Sequence, residues 1–171
     1  ENLTSFNPQY RESQEIVLLG LGPRNKFDAS PLRQVIAKSI ALAKSRKIKR
    51  VRLVFDSFVG GKVQPMASAE ILAETATLAS YNFDKYKTKS PKDGDGKARS
   101  LEVLEVLLTK EGEIKKFSQG AERARLIALG TLAARNLINE PGNVINPARL
   151  AEEARRIARD KKLRCTVLGL A

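Results

Sequence analysis

Histidine is absent from the 171 residues, and this absence closes off more chemistry than any other feature of the composition. Without an imidazole there is no Ser-His-Asp triad, no His-assisted cysteine nucleophile and no His-ligated metal site. Cysteine occurs once, at Cys165, so the chain forms no internal disulfide. The apolar run around Cys165 predicts a buried structural thiol, and a lone cysteine fits a reducing compartment. No apolar run approaches the roughly 18 residues needed to cross a bilayer, and no signal-peptide pattern opens the sequence. A cytoplasmic location without a membrane partner is therefore expected. The first residue is Glu1 rather than methionine, from which sequence removed ahead of it is expected.

Acidic residues are the scarcer charge, 19 against 31 Lys and Arg, for a net charge of +12. The excess is clumped. Lys44, Arg46, Lys47, Lys49, Arg50 and Arg52 stand together without an intervening acid. Lys85, Lys87, Lys89, Lys92, Lys97 and Arg99 form a second group, diluted by Asp93 and Asp95. Arg149, Arg155, Arg156, Arg159, Lys161, Lys162 and Arg164 form a third. Such clusters suit a polyanion, so one reading is a basic nucleic-acid-binding module whose affinity falls steeply with salt as counterions are released. The 42% apolar and 29% charged content allows a core and is far from a disordered composition. The length suits one domain, or one domain plus a piece of another.

In chain order, residues 1 to 15 read as an exposed polar lead-in. Ile16 to Leu21 is a continuous apolar run ending in glycines, the pattern of a buried parallel strand. Ser30 as cap and Pro31 as first residue begin a helix with Leu32, Val35, Ile36, Ser39, Ile40 and Ala43 on one face. Val51 to Phe55 is the next strand, ending in Asp56 and Ser57, and the strand–helix–strand order predicts a right-handed βαβ unit. After a turn at Gly60 and Gly61 comes an alanine-rich helix over 68–80, with Ala69, Leu72, Ala73, Ala76 and Ala79 inward. Residues 88–99 are a charged turn region, and Leu101 to Thr109 is a third strand. Helix 118–138 buries Ala124, Ile127, Ala128, Thr131 and Ala134. A helix from Pro147 turns Leu150, Ala151, Ala154, Ile157 and Ala158 inward, with Glu152 and Glu153 each able to pair with Arg156. Leu163 to Leu168 is a final strand.

Two glycine-bearing stretches invite functional readings and lose them on inspection. Gly20-Leu21-Gly22 lies between a strand and a helix, where a phosphate could be cradled. The third glycine of a dinucleotide fingerprint is missing and the helix begins too late, so the stretch reads as a strand-terminating turn. Asp93-Gly94-Asp95-Gly96 opens like a calcium loop, but Leu104 stands where the bidentate Glu belongs. Isolated acids such as Asp56 and Glu140 are not spaced as a ligand set.

The most informative stretch is Arg135 to Ala154. Asn139, Pro141 and Gly142 stop one helix, because the residue before proline avoids helical geometry. Asn146 and Pro147 then open another as N-cap and first residue. The order Asn139-x-Pro141-x-Asn143, then Pro147 and Leu150-Ala151, resembles the segment joining the two domains of the leucyl aminopeptidases, also called cytosol aminopeptidases. Tyr81, Phe83, Asp84, Tyr86, Lys87 and Thr88 resemble that family's Tyr-x-Phe-Asp-x-Tyr-Lys signature. The strand ending in Gly20-Leu21-Gly22 is similar to one early in the family's N-terminal domain. The resemblance covers nearly the whole chain.

It implies an α/β fold with a mainly parallel central sheet flanked by helices, like the macro-domain-like N-terminal domain of that family. Residues 1–117 would form that domain, its start clipped, 118–139 the connecting helix, and 140–171 the truncated opening helix and strand of the catalytic domain, whose apolar face, without most of its partners, would be exposed and favour self-association. The parent would be a hexameric metallopeptidase releasing N-terminal amino acids from peptides with two divalent ions, zinc or manganese. The family's metal ligands and catalytic residues lie in its C-terminal domain, so no catalytic, cofactor-binding or metal residue and no cofactor is assigned to this chain. Its own role would be assembly and active-site access, with the rest of the catalytic domain and other copies as partners. In the family the tyrosine-rich signature is non-catalytic, and packing by Tyr81, Phe83 and Tyr86 is expected. Some bacterial members bind DNA, which keeps the polyanion reading open beside this one. A nucleotide or ADP-ribose binder is a third reading, from fold likeness alone.

Overall fold

The computed structural model describes residues 3–6, 15–59, 63–87 and 101–169. Two compact units emerge, Glu1–Thr131 and Leu132–Ala171.

Among the described residues, the first unit contains four short strands, two α-helices and most of a third. Strand β1 (Leu3–Phe6) pairs antiparallel with β2 (Ile16–Leu19), Leu3 opposite Leu19 and Phe6 opposite Ile16. The stretch read as a polar lead-in therefore contributes a strand, because its hydrogen-bond partner lies ten residues on and cannot be seen as local periodicity. Helix α1 (Ala29–Ser45) follows, then β3 (Arg50–Val54), helix α2 (Pro65–Ser80) and β4 (Val103–Leu107). β3 and β4 run parallel, Arg52 opposite Glu105 and Val54 opposite Leu107, so α2 provides the crossover that a parallel pair requires. The expected pairing of β2 with β3 around α1 is not what forms among the described residues: β2 takes β1 and β3 takes β4.

The core lies where α1 and α2 meet the strands. Leu32, Ile36 and Ile40 of α1 are fully buried, beside Phe27, Leu53 and Leu72. The apolar stripe of α1 thus lies inward as its period demands. Its start is two residues earlier than expected, because the Asp28 carboxylate, not Ser30, accepts the cap hydrogen bond, from the Ser30 N–H at 2.9 Å. Pro31 falls within the first turn, where a missing donor is harmless. Helix α2 begins at Pro65, three residues ahead of expectation, with proline at its first position. Its buried side includes Ile71 and Ser68, whose hydroxyl donates to the Phe58 carbonyl at 3.0 Å. Between the two helices the Lys44 ammonium donates to the Ala79 carbonyl at 2.9 Å and to Asn82 Oδ1 at 3.2 Å, so a cation from α1 satisfies the end of α2.

Helix α3 (Ile114–Ile138) starts four residues before the expected position and buries a narrower line of residues, Gly120, Ala124 and Ala128. Ile127, Thr131 and Ala134 are exposed instead. The absence of a side chain at Gly120 lets α3 come close to Met66 and Ala69 of α2 there.

In the second unit, α3 ends in turns at Asn139 and Glu140, and the Val144 and Ile145 N–H groups donate to the Pro141 carbonyl. Asn146 caps helix α4 (Pro147–Lys161), its Oδ1 accepting from the Arg149 N–H at 3.0 Å, as the residue types require. Lys162 closes α4 in the left-handed region at φ 55. Leu150 is 48% exposed and Ile157 41%, with only Ala158 buried on this helix, so the apolar side of α4 lies largely uncovered, as expected of an opening helix without most of its partners. Residues 163–169 form no strand among the described residues, since no neighbouring strand offers a ladder. Cys165 is accordingly an exposed free thiol, not a buried one.

Candidate functional site

Three places could carry chemistry: the first basic cluster, the acids around α2 and β4, and the tyrosine-rich signature. The basic cluster, free of acids along the sequence, meets them in space. Arg46 pairs with Glu15. Lys49 lies 2.9 Å from Glu102, and Arg50 and Arg52 each stand 2.8 Å from an oxygen of Glu105. The parallel register sets this up by laying β4, with its Glu105, against β3. Four cations of the cluster that invited a nucleic-acid reading thus have carboxylate partners, which weakens the field a phosphate backbone would meet. In the third cluster Arg149 reaches Glu152 at 2.7 Å and Glu153 at 3.2 Å, while Arg156 reaches Glu153 at 2.8 Å and Asp160 at 3.2 Å. Glu152 therefore pairs with Arg149 rather than Arg156, the i,i+3 partner lying nearer than the i+4 one. In the second cluster Lys87 lies 2.6 Å from Asp84, while Lys89, Lys92, Lys97 and Arg99, with the Asp93-Gly94-Asp95-Gly96 stretch, lie outside the described residues.

The hydrogen bond from Arg52, with the nearby charge of Arg50, holds the Glu105 carboxyl below its usual range. A lowered folded-state pKa adds stability that is in place above the unfolded value, near 4.5, and is lost as pH falls through the folded value. Glu105→Gln should lower the melting temperature at neutral pH and flatten its decline below pH 4.5. Thermal melts of both proteins from pH 3 to 8 would check this, and superimposable profiles would count against the clasp.

The acids are otherwise engaged. Asp56 Oδ2 accepts from the Thr109 hydroxyl at 2.7 Å and from its N–H at 3.3 Å, which ties together the ends of β3 and β4. An open groove of about 280 Å³ is floored by Ile71, Ala124 and Ile127 and rimmed by Arg33, Glu70 and Glu74. Glu74 lies 3.4 Å from Arg33 and Glu70 lies 3.6 Å from Arg123. These two carboxylates are thus matched to cations, the reverse of the donor-only arrangement that a pair of divalent ions needs. Among the described residues no group of three or more His, Cys, Asp or Glu side chains could hold a metal ion, and the donors present do not fit a two-metal site.

In the tyrosine-rich signature the Phe83 and Tyr86 rings lie 6.0 Å apart, tilted at 53°, and the Lys85 ammonium lies 5.3 Å from the Tyr86 ring. Tyr81 and Phe83 are half-buried while Tyr86 is exposed, so packing accounts for the first two rings and only in part for the third. Gly20-Leu21-Gly22 follows β2 as irregular backbone, with Gly22 at φ 76, ahead of a 3-10 turn at Arg24–Lys26 and then α1. No helix among the described residues is long and apolar enough to cross a membrane.

Comparison with known proteins bears on what this scaffold is. The "Probable cytosol aminopeptidase" of Syntrophotalea carbinolica is 35% identical over 154 residues, covering 90% of this chain and 30% of the relative. That of Alkaliphilus oremlandii is 33% identical over 168 residues, covering 98% of this chain and 33% of the relative. The chain thus spans about a third of the length of these curated relatives. Among solved structures, the bottromycin maturation enzyme BotP in complex with Mn aligns over 99% of this chain and 33% of its own, with TM-score 0.73 and 23% identity. A tomato leucine aminopeptidase variant aligns over 93% of this chain and 30% of its own, with TM-score 0.67 and 23% identity. These two likenesses establish the mixed α/β fold. The family model described as "Cytosol aminopeptidase family, N-terminal domain" matches residues 1–90, more than half of the 171, and the chain therefore belongs to the cytosol aminopeptidase family and carries its N-terminal domain.

Proposed function

We propose that this chain is the non-catalytic N-terminal portion of a metal-dependent leucyl aminopeptidase, which releases N-terminal amino acids from peptides in the cytoplasm. The observation that carries the reading is the match of residues 1–90 to the family's N-terminal domain. Residues 1–117 serve as the N-terminal domain, 118–139 as the connector and 140–171 as the opening of the catalytic domain. The exposed Leu150 and Ile157 of α4, and the apolar Leu163, Val167 and Leu168 after it, are the surface that the rest of such a domain would cover. Two zinc or manganese ions held by that domain would supply the hydrolytic chemistry. The portion described here serves hexamer assembly and access to the active sites.

The test compares this 171-residue chain with a version continued to the length of its relatives, on leucine p-nitroanilide with added Mn or Zn. The longer protein should hydrolyse the substrate and lose activity to a chelator, and the shorter should be inactive. Metal-dependent hydrolysis by the 171-residue chain alone, or none by the longer protein, would overturn the reading.

A further inference from the structure

The groove floored by Ile71, Ala124 and Ile127 is bounded by α1, α2 and α3, and each helix contributes a different kind of side chain. Arg33 comes from α1. Glu70 and Glu74 come from α2, one turn apart and therefore on one face, with Ile71 beside them. Ala124 and Ile127 come from α3, just past its close approach to α2 at Gly120. At about 280 Å³ the groove falls just under the roughly 300 Å³ at which pockets for drug-sized ligands begin, so it is sized for one small molecule. Its floor suits an aliphatic group, and its rim, carrying both signs, suits a ligand that carries both. A lone anion would be repelled by Glu70 and Glu74, and a lone cation by Arg33.

The rim charges are loosely held. Arg33 stands 3.4 Å from Glu74 and Arg123 stands 3.6 Å from Glu70, against 2.8 Å for Arg50 and Arg52 on Glu105. Exposed ion pairs contribute little even at good distances, so a ligand that replaces these two displaces almost nothing. We infer that this groove binds a free α-amino acid with an aliphatic side chain. Its ammonium lies between Glu70 and Glu74, its carboxylate meets Arg33, and its side chain rests on Ile71, Ala124 and Ile127. On the aminopeptidase reading, and resting on it in this respect alone, that ligand is also what the parent releases.

The test titrates leucine into the 171-residue chain and follows its amides by nitrogen–proton correlation NMR. Saturable shifts should centre on Ile71, Glu74, Ala124 and Ile127, with a dissociation constant on the order of 1 mM, as for a small ligand at an exposed site. Leucinamide lacks the carboxylate, isocaproate the amine and glycine the side chain. Each should bind about tenfold more weakly, the worth of one charge-assisted contact or of the buried chain. Arg33→Gln and Glu74→Gln, at partly exposed positions that should fold, are expected to weaken leucine binding by about the same factor with unchanged far-ultraviolet dichroism. No saturable shift with leucine, equal binding of the three analogues, or unchanged affinity in both variants would overturn the inference. These readouts do not involve hydrolysis, so an inactive continued protein would overturn the aminopeptidase reading and leave the binding result standing.

Discussion

Phe55→Ala is expected to destabilise the Glu1–Thr131 unit by about 3–5 kcal/mol, in the range for removing a fully buried aromatic ring. Phe55 is 1% exposed and meets Phe117 edge-on, ring centres 4.9 Å apart and planes at 80°. It stands at the end of β3, in the 3-10 turn Phe55–Phe58, and Phe117 lies in the first turn of α3. The pair is therefore a contact between the sheet and the long helix as well as a piece of core. Truncation leaves a cavity that Phe117 alone cannot fill, and the edge-to-face attraction is lost with it. Urea unfolding followed by far-ultraviolet dichroism would measure the shift. A loss below about 1 kcal/mol, a typical value for an ordinary mutation, would mean that the site collapses around the gap and that Phe55 does not anchor α3.

The second large effect is expected at Gly120→Val, a loss of about 1–3 kcal/mol or more from overpacking. The atom nearest a new Cβ is a main-chain oxygen, that of Met66 at 3.1 Å, which cannot rotate away as a side-chain end could. Relief requires α3 to lift from α2 at this point, which separates Arg123 from Glu70. Valine adds a restricted χ1 within a helix, so Gly120→Ala should fall between parent and valine variant. The same measurement on Gly130→Ala should move the opposite way, since that Cβ enters open space and alanine favours the helix. Equal stability of the parent and Gly120→Val would show that the two helices do not press together there.

Local features of the chain were legible from residue types alone. The Asn146–Pro147 helix start, the inward stripe of α1 and the stop at Asn139 to Gly142 all depend on neighbours within one or two helical turns. Such interactions are written in adjacent letters. The resemblance carried by Tyr81 to Thr88 and by Asn139 to Ala151 placed the family correctly for a similar reason, since both are contiguous motifs. What needed the tertiary structure involves partners far apart in sequence. Leu3–Phe6 becomes a strand only because β2 offers a ladder, and the β3–β4 register decides that Arg50 and Arg52 meet Glu105. Composition counted those arginines as free positive charge, but a carboxylate more than fifty residues away engages them. The exposure of Cys165 was likewise not legible: an apolar run shows which residues seek cover, while burial depends on whether a partner element is there to provide it.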